Sequence, residues 1–325
     1  MSEAPLPIDK PPGAQPQNGG VFRLEELSFT QLEALDHTRA VVLFTVSPLE
    51  EHGPHLPIGT DLFTADSVCT KLAVRILEEK PGWTVLIGPS LPIGASAFDR
   101  AGTLLVRART VRNVTLDYGA ALARHGFRYL VVLNGHGGPR HIVALEEAAA
   151  AVSRRYRVRM FSVSGLVLWK FMRGRYTDCL QAILGRPFTE AEREALPGDT
   201  HAGMWETSLI LLLRPDLVNP VYANLPAARF GLVDVLHKNY PLQLGNRMGY
   251  IGTPSAARAE LGEAARRLFL ELVCELVRPV LDVQNKKWRQ TSFLYKIPLL
   301  RTAFPYAATV AAIGLAGWAI IHWLY

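Results

Sequence analysis

The chain has 325 residues, 49% of them hydrophobic and 20% charged, which is enough apolar material for one sizeable core and too little charge for a disordered chain. A net charge of +6 and a pI near 9.3 raise the question of nucleic acid, but the basic residues are scattered and no helix-turn-helix, zinc-finger or RNA-binding signature accompanies them. Cys69, Cys179 and Cys274 lie far apart in sequence, so neither a Cys-x-x-Cys metal site nor a disulfide framework is expected, and a reducing compartment fits best.

Residues 1–20 carry Pro5, Pro7, Pro11, Pro12 and Pro16 with Gly13, Gly19 and Gly20 and no apolar run, the composition of a disordered leader and not of a secretory signal. Short β-branched apolar runs at Val41–Val46, Thr84–Ile87, Tyr129–Leu133 and Val158–Val163 predict buried strands. Between them, Leu62–Glu79, Val111–His125 and Ile142–Tyr156 have helical spacing. Strand and helix in alternation predict an α/β fold with a mostly parallel sheet flanked by helices on both faces. Thr189–Leu196 reads as a short helix, and Ala202–Leu213 and Ala256–Val283 as longer ones. In the last, Leu261, Ala265, Leu268, Leu272 and Leu276 share one face and Glu263, Arg266, Arg267 and Glu271 the other, as in a packing helix. One globular unit is expected over residues 21–283.

A basic stretch, 284–301, follows and holds Lys286, Lys287, Arg289, Lys296 and Arg301. Thr302–Tyr325 is then a run of 24 residues without Asp, Glu, Lys or Arg. As a helix it would extend about 36 Å, against a hydrocarbon core of ~30 Å. Tyr306 stands near one end and Trp318, Trp323 and Tyr325 near the other, as interfacial aromatics do. The expectation is a C-terminal transmembrane helix acting as a single-pass membrane anchor, with the basic linker holding the catalytic domain in the cytoplasm.

Three stretches carry chemistry. The densest is Glu50-Glu51-His52-Gly53-Pro54-His55-Leu56-Pro57-Ile58-Gly59-Thr60-Asp61, just after a predicted strand and before a helix. So many carboxylates and imidazoles would desolvate or repel one another in a plain loop, whereas a divalent cation supplies the compensating charge. Such ligands suit Zn, Mn or Fe. Asn134-Gly135-His136-Gly137-Gly138 ends the strand Tyr129–Leu133, the edge of an α/β sheet where ligands gather. In Asp199-Thr200-His201-Ala202-Gly203-Met204-Trp205-Glu206, His201 and Glu206 stand five apart, so His201 is expected to precede the first helical turn and Glu206 to project from within it. Either could bind metal while the other moves protons, and Asp199 could equally cap the helix.

In this order the three stretches resemble the creatininase family, as does Gly249-x-x-Gly252-x-Pro254-x-x-Ala257, over roughly Phe22 to Leu281. The resemblance implies a sandwich-like α/β/α fold, a binuclear metal site and hydrolysis of a C–N amide bond in a cyclic amide, formamide or small peptide. Carried over by position, Glu50 and His136 would serve one divalent ion and His52 and Glu206 the other, with Asp61 bridging. His201 would be the proton-transferring residue. Homo-oligomers are the family's habit. The position two after His136, a metal-binding Glu in the creatinine-hydrolysing members, is Gly138 here, which makes creatinine a poor substrate guess. Ser96–Thr103 departs from the family's Ser, His and Phe-Pro-Gly-Thr pattern, and Pro139 replaces a common Asn. The alternative reading is a membrane-tethered, non-catalytic binding or scaffold protein that keeps the fold.

Overall fold

The structure, a computed structural model, describes residues 19–167, 176–229, 248–282, 284, 285, 288 and 290–304. The strands β1 (Gly20–Arg23), β2 (Ala40–Thr45), β3 (Thr84–Ile87), β4 (Tyr129–Leu133) and β5 (Arg159–Ser162) form one sheet in the order β1-β3-β2-β4-β5. Every pairing is parallel. The helices are α1 (Phe29–Glu33), α2 (Thr60–Glu79), α3 (Ala108–Arg124), α4 (Pro139–Tyr156), α5 (Tyr176–Leu184), α6 (Glu190–Ala195), α7 (Met204–Leu213) and α8 (Ala259–Leu281). Strand β1 begins inside the stretch read as a leader, where Gly20 pairs with Thr84. The rest of that stretch, residues 1–18, lies outside the described residues.

Two apolar layers hold the sheet. Val41, Leu43, Val131 and Leu133 pack with Val68 and Leu72 of α2 and Val273 and Val277 of α8. Their sequence neighbours Val42, Phe44, Leu130 and Val132 point to the other face, against Val111 of α3 and Leu145 and Val152 of α4. Burial on both sides explains why the strands read as unbroken apolar runs. Each side chain fully removed from water contributes about 1.5–3 kcal/mol.

The register places the chemistry. Thr45 at the end of β2 lies opposite Leu133 at the end of β4, so the loop after β2 and the turn after β4 leave the same edge side by side. Helix α6 is started by its own residues: Thr189 accepts from Glu192 N while Glu192 accepts from Thr189 N, a reciprocal cap.

The C-terminal membrane helix expected over Thr302–Tyr325 is corrected: among the described residues no helix is long and apolar enough to cross a membrane. The single-pass anchor, and the cytoplasmic placement that followed from it, lose their support. The run from Thr302 to Tyr325 lacks charge, but freedom from charge does not by itself make a membrane span. Its first residue is also used elsewhere. The buried Thr302 hydroxyl and amide both donate to the Glu147 carboxylate of α4, as does Arg301 Nε. Residues 305–325, where most of the expectation falls, lie outside the described residues.

The preceding stretch is docked in the same way. Ser292 is fully buried and donates to Glu146 through its amide (3.0 Å) and its hydroxyl (3.1 Å), while Leu294 packs on Ile142 and Val143. Ser292→Ala removes a buried hydrogen bond to a charged acceptor and is expected to cost about 1.5–3 kcal/mol, read as a lower urea midpoint of the full chain with unchanged slope.

Candidate metal centre

Four chain segments build the site, each held by its own hydrogen bonds. The loop after β2 is closed by Glu50 N donating to Ile58 O (2.9 Å) and brings in Glu50 and His52. Asp61 sits in the first turn of α2, where unpaired amides favour a carboxylate. His136 lies in the turn between β4 and α4, whose shape is set by Asn134: its Oδ1 accepts from His136 N (3.0 Å), and its Nδ2 donates to His136 O (2.7 Å). The fourth segment enters α7. His201 is extended, bridged to Ile251, and the helix starts three residues later with Glu206 in its first turn.

The five residues read as ligands converge. Asp61 stands between the two histidines, with Oδ1 3.3 Å from His52 Nε2 and Oδ2 3.2 Å from His136 Nδ1. Glu50 Oε2 is 2.9 Å from the same His136 nitrogen, and Glu206 Oε2 is 3.5 Å from His52 Nε2. Ligand atoms of Glu50, Asp61 and His136, and again of His52, Asp61 and Glu206, lie within 4.8 Å of one another. A third such group joins Glu50, His52 and His201.

The far nitrogen of each histidine fixes what the near one presents. His52 Nδ1 lies 3.0 Å from the Glu50 carbonyl and His136 Nε2 3.2 Å from that of Ala95. A carbonyl only accepts, so those nitrogens carry the proton and the nitrogens facing the carboxylates are free to ligate. His201 is held in the same way, its Nε2 donating to the Glu51 carbonyl at 2.9 Å, which leaves Nδ1 without that proton.

The electrostatics ask for a cation. Glu50, His52 and Asp61 are almost fully buried, and Glu50 Oε2, His52 Nε2 and Asp61 Oδ2 face only other members of the cluster, a costly arrangement for carboxylates unless positive charge lies among them. Burial pulls His52 down, yet Asp61 and then Glu206 outweigh it and lift the imidazole to about 10. His136 is raised well above its ordinary value against the same burial, by Asp61 and Glu50. Burial pushes Glu206 up, only partly offset by His52 and His201. In the protein alone, protons on the histidines supply the positive charge that the carboxylates require. A pair of divalent cations fits the same donor set of three carboxylates and two imidazoles.

Three further contributors shape the centre, of which the sequence marks Asp199 as a helix cap and Ser96–Thr103 as an altered loop but gives no signal for His141. His141 on α4 accepts from Ala95 N (3.3 Å) and donates to Val46 O (3.2 Å), which fixes the carbonyl that orients His136. Burial holds it down at about 3, so it stays neutral. Asp199 accepts from the amides of Met204 (2.7 Å) and Trp205 (3.0 Å) and so anchors the start of α7. Burial pushes its carboxyl up to about 6. The atypical Ser96–Thr103 loop also reaches the centre. Phe98 N donates to Glu50 Oε1 (2.6 Å), and the Phe98 ring packs edge-on against His201 at 4.6 Å.

Two glycines are demanded by close approach. A Cβ on Gly138 would stand 2.2 Å from His136 Nε2 and 2.8 Å from Ser96 O, so no side chain fits at this position in the present backbone. Pro139 then follows as the first residue of α4, where its missing amide costs nothing. A Cβ on Gly135 would meet the Asp61 carbonyl at 2.3 Å. Gly135→Ala is therefore expected to push α2 and Asp61 away from His136, with bound metal falling well below that of the wild type by elemental analysis.

Comparison with known proteins agrees with this arrangement. The sequence model of the creatinine amidohydrolase family matches residues 25–277. A mycofactocin precursor peptide peptidase of Mycobacterium ulcerans is 29% identical over 270 residues, covering 78% of this chain and 90% of its own. The creatinine amidohydrolase of Pseudomonas putida is 27% identical over 265 residues, covering 78% and 95%. A crystal structure of creatinine amidohydrolase superimposes with a TM-score of 0.61 at 24% identity, over 80% of this chain and 98% of that one, and this shows the shared fold. With the family's model spanning most of the chain, from the 3-10 turn after β1 into α8, the protein belongs to the creatininase family.

Proposed function

We propose that this protein is a metal-dependent hydrolase of a C–N amide bond in a small molecule or short peptide. The observation that carries the reading is the pair of histidines, His52 and His136, each with its far nitrogen donating to a backbone carbonyl and its near one turned on buried carboxylates. In this reading Glu50 and His136 hold one divalent ion, His52 and Glu206 a second, and Asp61 faces both. Solved creatininases include a Mn form and a Zn–Zn form, and Zn, Mn or Fe suits the donor set here. Such ions supply Lewis acidity and make water a nucleophile near neutral pH.

The chain's own groups do the rest. His201 Nδ1, bare in this tautomer, would take the proton released by the attacking water and pass it to the leaving nitrogen as the C–N bond breaks. Its orientation comes from the Glu51 carbonyl on one side and the Phe98 ring on the other. Burial of Glu50, His52 and Asp61 strengthens the charge interactions inside the cluster. The peptidase and creatinine hydrolase among its relatives make small amides and short peptides the substrates to screen. Elemental analysis of the purified protein, followed by assays on lactams, formamides and dipeptides with and without chelator, tests the proposal. Two ions per chain and chelator-sensitive hydrolysis are expected, and a folded protein that takes up no divalent metal would refute it.

A further inference from the structure

A cavity of about 280 Å³ opens directly onto the cluster. Asp61, His136, His201 and Glu206 line part of it. Val68 of α2, Leu133 of β4 and Phe269 and Val273 of α8, which share one apolar cluster, give it an apolar end, with Leu209 of α7 also in the lining. So much hydrocarbon is more than a compact polar lactam needs, because polar groups gain nothing from such walls. Ligand sites of this kind bind an apolar body and orient it by a few polar groups.

We infer that the substrate is an amide bearing a branched aliphatic or aromatic group next to the scissile C–N bond, and that Val273 and Phe269 of α8 select it. This rests on the hydrolase reading for the amide, and on the cavity alone for the apolar group. With the bond at the carboxylate end, a group the size of a leucine or phenylalanine side chain extends towards α8 and replaces water along hydrocarbon walls. Filling an apolar subsite in this way is worth ~10–200-fold in kcat/KM per discriminating group. Neither Val273 nor Phe269 is among the ligand-type residues, so metal content is read separately from preference in their variants.

The test uses the metal-loaded full chain and two kinds of probe. In the first arm, 4-methylpentanamide and phenylacetamide are compared with acetamide as ligands by thermal shift, which requires no turnover. The larger two are expected to raise Tm and acetamide to leave it unchanged at the same concentration. In the second arm, leucyl-glycine and glycyl-leucine are compared with glycyl-glycine as substrates. At least one leucine-containing dipeptide is expected to be cleaved ~10-fold or more faster, as kcat/KM. Val273→Phe should fill the subsite and remove both preferences while metal content stays at the wild-type level. Phe269→Ala, which enlarges it, should shift the preference from the leucine-sized to the phenylalanine-sized probe, and it provides the answer if Val273→Phe fails to fold. Equal responses to acetamide and the larger amides, together with equal cleavage of the three dipeptides, would overturn the inference and leave the hydrolase intact. Binding of the larger amides without metal uptake or cleavage would keep the apolar subsite and overturn the hydrolase reading instead.

Discussion

Asp61→Ala is expected to release both metal ions and to lower turnover by ~10³-fold or more. Asp61 offers a separate oxygen to each histidine, at 3.3 Å from His52 and 3.2 Å from His136. Its removal leaves each ion one anionic ligand short and the two cations less shielded from each other. A bound metal contributes several kcal/mol to charge stabilisation in the transition state, and each 1.36 kcal/mol is tenfold in rate. The carboxyl is held well below the usual carboxylate range, because His52 and His136 outweigh the opposing effect of burial. It is therefore ionised near neutral pH. His52→Ala, by contrast, should lose mainly one ion. Elemental analysis of both purified variants decides the matter: an Asp61→Ala protein that retains two ions excludes Asp61 as the shared ligand.

His201→Ala is expected to keep its metal and its fold while turnover falls by ~10²–10⁴-fold, the usual worth of general acid–base catalysis. His201 lies against the cluster, with ring centroids 4.4 Å from His52 and 4.6 Å from Phe98, but its Nε2 is committed to the Glu51 carbonyl at 2.9 Å. A ligand atom of His201 also falls within the 4.8 Å group formed with Glu50 and His52, so metal content is the discriminating measurement. A stoichiometric loss of one ion alongside activity would make His201 a ligand and move proton transfer elsewhere. Substrates with better leaving amines should partly restore the rate of His201→Ala if its part is to protonate nitrogen.

The strands were legible because a parallel sheet covered on both faces leaves few polar positions. The run Val41–Val46 and the observed Ala40–Thr45 differ by one residue at each end. Strand β1, Gly20–Arg23, has no such signal: among the described residues it pairs with β3 alone, and Val21 is its one buried residue, so its sequence carries no apolar run. Glu51 was passed over as a neighbour of two stronger candidates. In the structure it is buried, accepts from Gly53 N at 3.1 Å, and lends its carbonyl to His201. The tail was read from an absence of charge, a property shared by membrane spans and ordinary apolar segments. Nothing local in the sequence reveals that Glu146 and Glu147, on a helix some 150 residues earlier, hold Ser292, Arg301 and Thr302.

What the sequence by itself determined was the alternation of strand and helix and the three clusters of ligand-type residues, since hydrophobic period and residue chemistry are local properties of the chain. Only the tertiary structure decided how these clusters meet. Parallel pairing of β2 with β4 puts the loop after one beside the turn after the other, and Asn134, His141 and the Ala95 carbonyl turn His136 onto Asp61. Tautomers, the commitment of His201 Nε2 and the apolar end of the cavity were likewise decided there. Each depends on which backbone carbonyl or side chain arrives from a distant segment, and such a contact is set by packing that no local pattern encodes.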